Sequence, residues 1–349
     1  MDIFQITKPL LYALGPEDAH QLTIHALQHG LIPSRKMPEY AALKQTIWGL
    51  DFDHIVGMAP GFDKNAEVVG PLFKQGFAFV EAGTVTPLPQ EGNPKPRVFR
   101  LHRARGIINR LGFNNQGADR FISNLHKAQM RKVVGINIGK NKLSDDAIAD
   151  YVTMLEKTHA LADYITVNIS SPNTEGLRDL QEQQQLTELL SALQQKRSDL
   201  GASVPLLLKI APDLDEAQQE AIAQTVLEQK IDGLIVSNTT ISRPAKLKGK
   251  HKQEQGGLSG KPLRKLSTQV LSNMYRHTGG NIPIIGVGGV SRGKHAYAKI
   301  RAGASLVQAY SGFVYKGFGI IPRINEDVIR LMERDGFSHI SEAIGADHK

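Results

Sequence analysis

The 349-residue chain contains no cysteine. That excludes disulfides, iron–sulfur clusters, cysteine-ligated zinc and any cysteine nucleophile or acid. Aromatic residues are scarce, at 6% with a single Trp. This is too few for a stacking platform that binds single-stranded nucleic acid. Nucleic acid is therefore not expected as a partner, although the net charge of +8 would suit one. A basic surface with no partner explains that charge equally well. No run approaches the ~18 apolar residues of a membrane span. The N-terminus has no basic stretch leading into an apolar one, so neither secretion nor organelle import is expected. The first strand-like run ends Gly57-Met58-Ala59-Pro60-Gly61, which is not a dinucleotide fingerprint.

What the chain does have is regular. Short Val- and Ile-rich runs occur at 55–59, 77–81, 133–138, 164–169, 205–210, 233–236, 282–287 and 305–309. Continuous apolar runs of this length suit strands buried on both faces of a parallel sheet. Helical periods fill most gaps, at 146–161, 186–200, 215–229, 263–277 and 292–302. Eight strands alternating with helices predict an α/β fold, a (β/α)8 TIM barrel. An open doubly wound sheet is the rival, and it would want the missing fingerprint. The stretch 87–110 has no helical period and predicts a hairpin insertion around the alternating Val98-Phe99-Arg100-Leu101. Ahead of the barrel, residues 1–40 predict a small N-terminal extension of two helices, with the barrel over 41–349. The helices either pack on the barrel or lie on a membrane surface.

Barrel chemistry sits at the C-terminal strand ends. These carry Gly61 and Lys64, Thr84, Asn137, Asn168 with Ser171 and Asn173, Lys209, Ser237 with Asn238 and Thr239, Gly289, and Tyr310 with Ser311. No His and no carboxylate cluster falls there, so no metal is expected. Any one Asn could be an ordinary turn residue. Several converging amides suit a flat ring whose edge alternates N–H and C=O, such as a pyrimidine, and a lysine among them suits a carboxylate. The glycines after strands seven and eight, with Gly256-Gly257-Leu258-Ser259-Gly260, suggest a phosphorylated cofactor such as FMN. Lys209 could stabilise a flavin that becomes anionic on reduction, or pair with a buried carboxylate. A barrel that merely binds a phosphorylated ligand also remains open.

The strings PEDAH, GFDKN, GTVTP, INRLGFNNQG, GINIGKNK, NISSPNT, LLKIAPDL, SNTT, GGLSG, IIGVGG and GASLVQAYSGF occur in order over nearly the whole chain. In this the chain resembles dihydroorotate dehydrogenase of class 2, the membrane-associated, quinone-dependent type. The last thirty residues add nothing to the resemblance. It implies a flavoprotein of pyrimidine biosynthesis that oxidises dihydroorotate to orotate, with FMN as hydride acceptor and a membrane quinone as final acceptor. Ser171 matches the catalytic base. Ala59, Pro60, Gly61, Thr84, Asn137, Asn168, Lys209, Ser237, Gly260, Gly289, Tyr310 and Ser311 match FMN contacts. Lys64, Asn109, Asn168, Asn173, Asn238, Thr239 and the backbone of Arg110, Leu111, Gly112 and Phe113 match the orotate site. His20 and Arg100 match quinone-tunnel positions, which makes residues 1–40 the quinone- and membrane-docking segment. Pro60 and Ser237 depart from the family's usual Ala and Thr. The resemblance also implies a monomer, peripheral on the cytoplasmic face of a bacterial inner membrane. Class 1 relatives use Cys as base and some pass electrons to NAD through an iron–sulfur centre. A chain without cysteine can do neither. Residues 1–40 carry Lys8, Arg35 and Lys36 against Asp2, Glu17, Asp18 and Glu39. Attraction to anionic lipid would thus come from the basic stretches 97–110 and 243–252. Ser is a poor base at its free pKa, so a hydroxyl or water relay is expected, with the loop 171–180 as a lid.

Overall fold

The computed structural model describes residues 3–128 and 132–349. Helix α1 (Ile3–Ala13) is followed by α2 (Pro16–Gln28). Pro16 sits in the first turn of α2, with Glu17 and Asp18 at its positive end. A short hairpin, β1 (Gln45–Ile47) and β2 (Leu50–Phe52), precedes the barrel. Then come β3 (Val56–Met58), α3 (Val69–Lys74) and β4 (Phe79–Val85). An insertion follows, β5 (Val98–Leu101) and β6 (Gly106–Asn109), and then α4 (Gly117–Lys127). The regular alternation resumes with β7 (Val133–Ile138), α5 (Ala147–Thr158), β8 (Tyr164–Asn168) and α6 (Gln183–Asp199). It continues through β9 (Leu206–Ile210), α7 (Glu216–Glu228) and β10 (Gly233–Val236). After β11 (Gly257–Gly260) come α8 (Arg264–His277), β12 (Ile284–Val287), α9 (Gly293–Arg301) and β13 (Leu306–Ala309). Helices α10 (Ser311–Lys316), α11 (Ile320–Arg334) and α12 (Ile340–Ala343) finish the chain.

Strands β3, β4, β7, β8, β9, β10, β12 and β13 close into one parallel barrel. All eight coincide with the expected runs to within a few residues. Their continuous apolar runs have one cause, since each strand faces both the barrel interior and the helix ring. Residues of β4, β7, β8, β9 and β10 are buried without exception. Inside the lower barrel Phe79, Tyr164, Leu207, Ile235, Ile285 and Leu306 pack together. Ile47 and Phe52 of the β1–β2 hairpin plug that end from below, and Trp48 at its turn donates to the Asp232 carbonyl at 2.7 Å. The opposite, C-terminal end is left open for chemistry.

Two expectations change in detail. The insertion is a three-stranded sheet rather than a hairpin alone, because β11 pairs with β6. The run Gly256–Gly260 is therefore mostly strand, and only its end reaches the barrel mouth. In α2 the buried residues are Ala19, Ile24 and Leu27. Ile24 and Leu27 join the main core cluster, so this helix is packed onto the barrel. The last thirty residues supply α11, whose apolar face (Ile320, Ile321, Ile324, Val328, Met332) is buried. No helix among the described residues is long and apolar enough to cross a membrane.

Candidate active site

A single cavity of about 1060 Å³ opens from the C-terminal strand ends and runs outward beside α1 and α2. Its floor is a connected set of side chains. The Glu81 carboxylate, fully buried, accepts from Asn137 Nδ2 at 2.7 Å, Gln308 Nε2 at 2.5 Å and Tyr164 OH at 3.1 Å. This turns the Asn137 amide so that its Oδ1 faces up, accepting from Thr84 Oγ1 at 2.5 Å and Asn168 Nδ2 at 3.0 Å. Asn168 Oδ1 in turn accepts from Ser170 Oγ at 3.1 Å and Asn238 Nδ2 at 3.2 Å. Each amide is thus fixed in orientation by its neighbour, from β4 across to the loop after β10. Buried polar groups of this kind are costly when unpaired and rigid when paired.

Two lysines break the pattern. Lys64 and Lys209 both line the cavity, and neither side chain has a hydrogen bond or ion pair among the described residues. Lys209 is only 5% exposed. Burial pushes its ammonium below the usual lysine range, with Glu81 pulling the other way. Burial likewise lowers Lys64 to about 8, opposed chiefly by Glu17. Buried ammonium groups without an acceptor are rare. Both are free to meet an acceptor brought into the cavity.

Ser171 lies on the loop after β8, buried but lining the cavity. Its Oγ accepts the Asn173 N–H at 3.3 Å, and Asn173 Nδ2 donates to Asn109 Oδ1 at 3.3 Å. Three residues on, the buried Thr174 hydroxyl has no partner among the described residues. The loop is held down by Arg178, which donates to the Ser170 carbonyl at 3.2 Å, the Thr239 carbonyl at 2.9 Å and Asp213 at 2.9 Å. The backbone of 110–113 is held from behind. Asn93 Nδ2 donates to the Arg110 carbonyl, and Gln90 Nε2 to those of Gly112 and Phe113, at 3.0–3.2 Å.

At β12 and β13 the wall is made of glycine. Gly288 and Gly289 have φ of +107° and +74°. A Cβ on Gly289 would come within 2.5 Å of Arg264 Cβ and 2.9 Å of the Gly260 carbonyl. Only glycine makes this close turn. Nothing among the described residues accepts from the amide N–H groups of Gly288 and Gly289. Ser259 and Ser311 hydroxyls meet at 2.8 Å beside them.

The mouth is apolar. Leu10, Leu22 and Leu31 line it and are 60%, 43% and 69% exposed. His20 packs edge-on to Phe62 at 5.1 Å. Burial, helped by the Lys64 charge, holds its imidazole down at about 3, so it is neutral. Arg100 donates to the Tyr12 and Gly15 carbonyls at 3.3 Å each. Arg97, 7% exposed, grips Glu17 at 2.6 Å and also donates to the Glu91 and Asn93 carbonyls. These contacts tie the helical pair to the inserted sheet.

The cavity surface brings together every site residue singled out from the sequence except two. Asn137 lies beneath the surface because Glu81 and Thr84 occupy its amide. The Arg110 side chain points away, drawn to Glu254 at 2.8 Å and the Pro96 carbonyl at 2.9 Å. Glu81, Gln90, Asn93 and Arg178 were not foreseen. Gln90 and Asn93 sit in a proline-rich loop with no periodicity, and Glu81 reads as the end of a strand.

Comparison with known proteins places the chain in a family. The family described as "Dihydroorotate dehydrogenase" matches residues 42–332. The chain is 50% identical to a protein of Azorhizobium caulinodans named "Dihydroorotate dehydrogenase (quinone)", over 99% of both chains. It is 47% identical to a rice protein named "Dihydroorotate dehydrogenase (quinone), mitochondrial", over 99% of this chain and 80% of that one. Among solved structures it is similar to the Eimeria tenella enzyme in complex with ferulenol. That match has a TM-score of 0.93 and 39% identity, and covers 97% of this chain and 99% of the other.

Proposed function

The chain belongs to the dihydroorotate dehydrogenase family, and from that premise we propose how its cavity divides the work. The reaction is oxidation of dihydroorotate to orotate in pyrimidine biosynthesis, with a quinone as electron acceptor. The chain is a flavin-dependent oxidoreductase. The flavin is FMN, held over the floor by Thr84, Asn168, Lys209 and Ser237, with its phosphate at Gly260, Gly289 and Ser311. Three observations support that fit: a buried Lys209 without a protein partner, glycine N–H groups without acceptors, and a turn that a Cβ would fill. The flavin, when bound, supplies the acceptor for a hydride from the substrate ring.

Everything else falls to the chain. Lys64 binds the substrate carboxylate. Asn109, Asn173 and Asn238 pair with the ring amides, Asn238 oriented by the floor network and Asn109 and Asn173 by each other. Ser171 takes the proton from the ring carbon beside the carbonyl and hands it to a relay, for which the free Thr174 hydroxyl is placed in the same loop. Arg178 keeps the loop closed over this step, which excludes water. The quinone enters between α1 and α2, past His20 and Arg100. Residues 1–40 form the docking segment and 41–349 the barrel.

The exposed Ile6, Leu10, Leu22 and Leu31 would insert into a bilayer surface, on the cytoplasmic face of a bacterial inner membrane. Basic groups support this. The β5–β6 turn packs on α1 through His102 and Tyr12, at 4.9 Å. The 243–252 stretch covers the same sheet, with the His251 ring tilted against Phe99 at 5.2 Å. Apolar insertion and basic attraction together hold a peripheral protein, where one alone is marginal. The protein acts as a monomer.

One observation carries this reading: a hydrogen-bonded floor with two unpaired ammonium groups continues into an apolar mouth within one cavity. Its volume, about 1060 Å³, lies at the upper end of the ~300–1,000 Å³ usual for ligand pockets. An anaerobic spectrum tests it. The yellow protein should bleach on adding dihydroorotate and recover with quinone but not with NAD. No bleaching, or recovery with NAD alone, would overturn the assignment.

A further inference from the structure

Among the described residues, α9 carries a buried charge that has no opposite. Lys299, on α9, is 0% exposed. Its ammonium donates to the Ser267 hydroxyl at 2.9 Å and the Thr268 hydroxyl at 3.2 Å, both on α8. No carboxylate faces it among the described residues. The charged group that does is Arg264, of the same sign, which adds to the effect of burial in lowering the ammonium to about 7. An unpaired buried charge is destabilising, and an apolar side chain of similar volume would serve packing better.

The contacts lead to the cavity. Ser267 Oγ accepts from Lys299 and shares its one proton between the Gly288 and Arg264 carbonyls, each at 3.2 Å. The lysine stem also runs beneath β12, where a Cβ on Gly286 would come within 3.1 Å of Lys299 Cδ. In a trans peptide the C=O and N–H point opposite ways. Holding the Gly288 carbonyl toward Ser267 therefore turns the Gly289 N–H away from α8. That N–H has no protein acceptor among the described residues, and Gly288 and Gly289 both line the cavity. The N-terminus of α8 lies at the same wall through Leu263, adding the positive end of a 14-residue helix.

We infer that Lys299 is a positioning residue for the cofactor phosphate, fixing the Gly288–Gly289 turn through Ser267 and supplying a buried positive charge that only a bound phosphate balances. The inference rests on the FMN reading above and assigns to α9 a role that no cavity-lining residue shows. It separates from simple packing because it is specific for the phosphate. FMN and riboflavin share the ring system and differ at that group alone.

The test strips the flavin from the full chain and measures binding of FMN and of riboflavin to the parent and to Lys299→Met. FMN binding should weaken about tenfold, the scale of one charge-assisted contact in a sheltered site. Riboflavin binding should stay at the parent value. The flavin-free variant should melt no lower than the flavin-free parent, since an unbalanced buried charge has gone. Unchanged FMN binding, or equal weakening for both flavins, would overturn the role. Should Lys299→Met fail to fold, Ser267→Ala keeps the ammonium and cuts its tie to Gly288. A smaller loss, again confined to FMN, is expected there, and an unchanged FMN-to-riboflavin ratio overturns the inference. A parent that binds riboflavin as tightly as FMN overturns the FMN reading itself, whereas a parent that prefers FMN, with variants that keep the preference, overturns only the role of Lys299.

Discussion

The floor and the mouth of the cavity are built on opposite terms. On the floor, a fully buried carboxylate, three asparagines and two hydroxyls hold one another in place. At the mouth, leucines stand more than 40% exposed on two helices, tied to the barrel by Arg97–Glu17, by Arg100 and by the buried face of α2. Under the proposed function, the difference follows from what each end must recognise. A small polar ring oxidised at two adjacent carbons needs donors and acceptors fixed before it arrives. A long apolar electron acceptor needs only a dry passage of sufficient width. Substitutions on the floor side should therefore change rate steeply, and those at the mouth should change access gently.

The steepest effect belongs to Ser171. Replacing it with Ala should leave flavin bound yet slow its anaerobic reduction by dihydroorotate about 10²-fold or more, the usual scale of general-base loss. Reoxidation by quinone should be almost untouched, because the proposed quinone site lies at the other end of the cavity. A stopped-flow trace with near-parent reduction would remove Ser171 from the chemistry and erase the contrast between the two ends.

How far this contrast was legible before the structure depends on the range of the interactions. The strands announced themselves because burial on both faces demands continuous Val and Ile, a local property. Their ends then located Asn168, Asn238, Lys64 and Lys209 without further help. Partnerships across the chain left no local mark. Glu17 and Arg97 are 80 residues apart, and nothing in either neighbourhood names the other. Glu81 and Gln308 are 227 apart. Asn137 illustrates the limit well. Its position at a strand end was evident, yet the buried carboxylate that claims its amide was not. Pairing of β11 with β6 was likewise invisible, since a Gly-Leu-Ser-Gly run reads as a loop until a neighbouring strand satisfies its backbone.

A second, smaller effect concerns Lys64. Its ammonium lies at about 8 in the free cavity, below the ordinary lysine value of 10.5, with burial as the main cause. A substrate carboxylate binds the protonated form and favours it. Below pH 8 the cation is already present and affinity for orotate should be flat. As pH rises through 8 the free protein loses the proton that the complex keeps. Affinity should then fall by up to about tenfold per pH unit, as linkage requires. Titrating orotate by flavin absorbance between pH 6 and 9.5 reads this directly. In Lys64→Met the overall affinity should be lower and the slope above pH 8 absent. A parent profile that stays flat to pH 9.5 would place the carboxylate elsewhere.

The gentlest effect is expected at the mouth, and it decides whether the helices dock or merely cap. Deleting all of residues 1–40 would be a poor test, because Ile24 and Leu27 belong to the main core. Replacing Ile6 and Leu10 with Ser leaves that core intact. These two are 64% and 60% exposed, so folding should lose little. Insertion of each into a bilayer would contribute up to about 1.5–3 kcal/mol if complete, and interfacial helices insert only partly. Flotation with anionic vesicles should therefore show several-fold weaker binding for the double variant, and still weaker binding at high salt as the basic stretches are screened. The apparent requirement for long-chain quinone should rise in step, while a short soluble quinone is used as before. Anaerobic reduction by dihydroorotate should not change, since no strand-end residue is disturbed. If vesicle binding and long-chain turnover both persist, the exposed side chains of α1 serve no membrane. If reduction slows instead, floor and mouth are coupled, and the division drawn between them fails at its base.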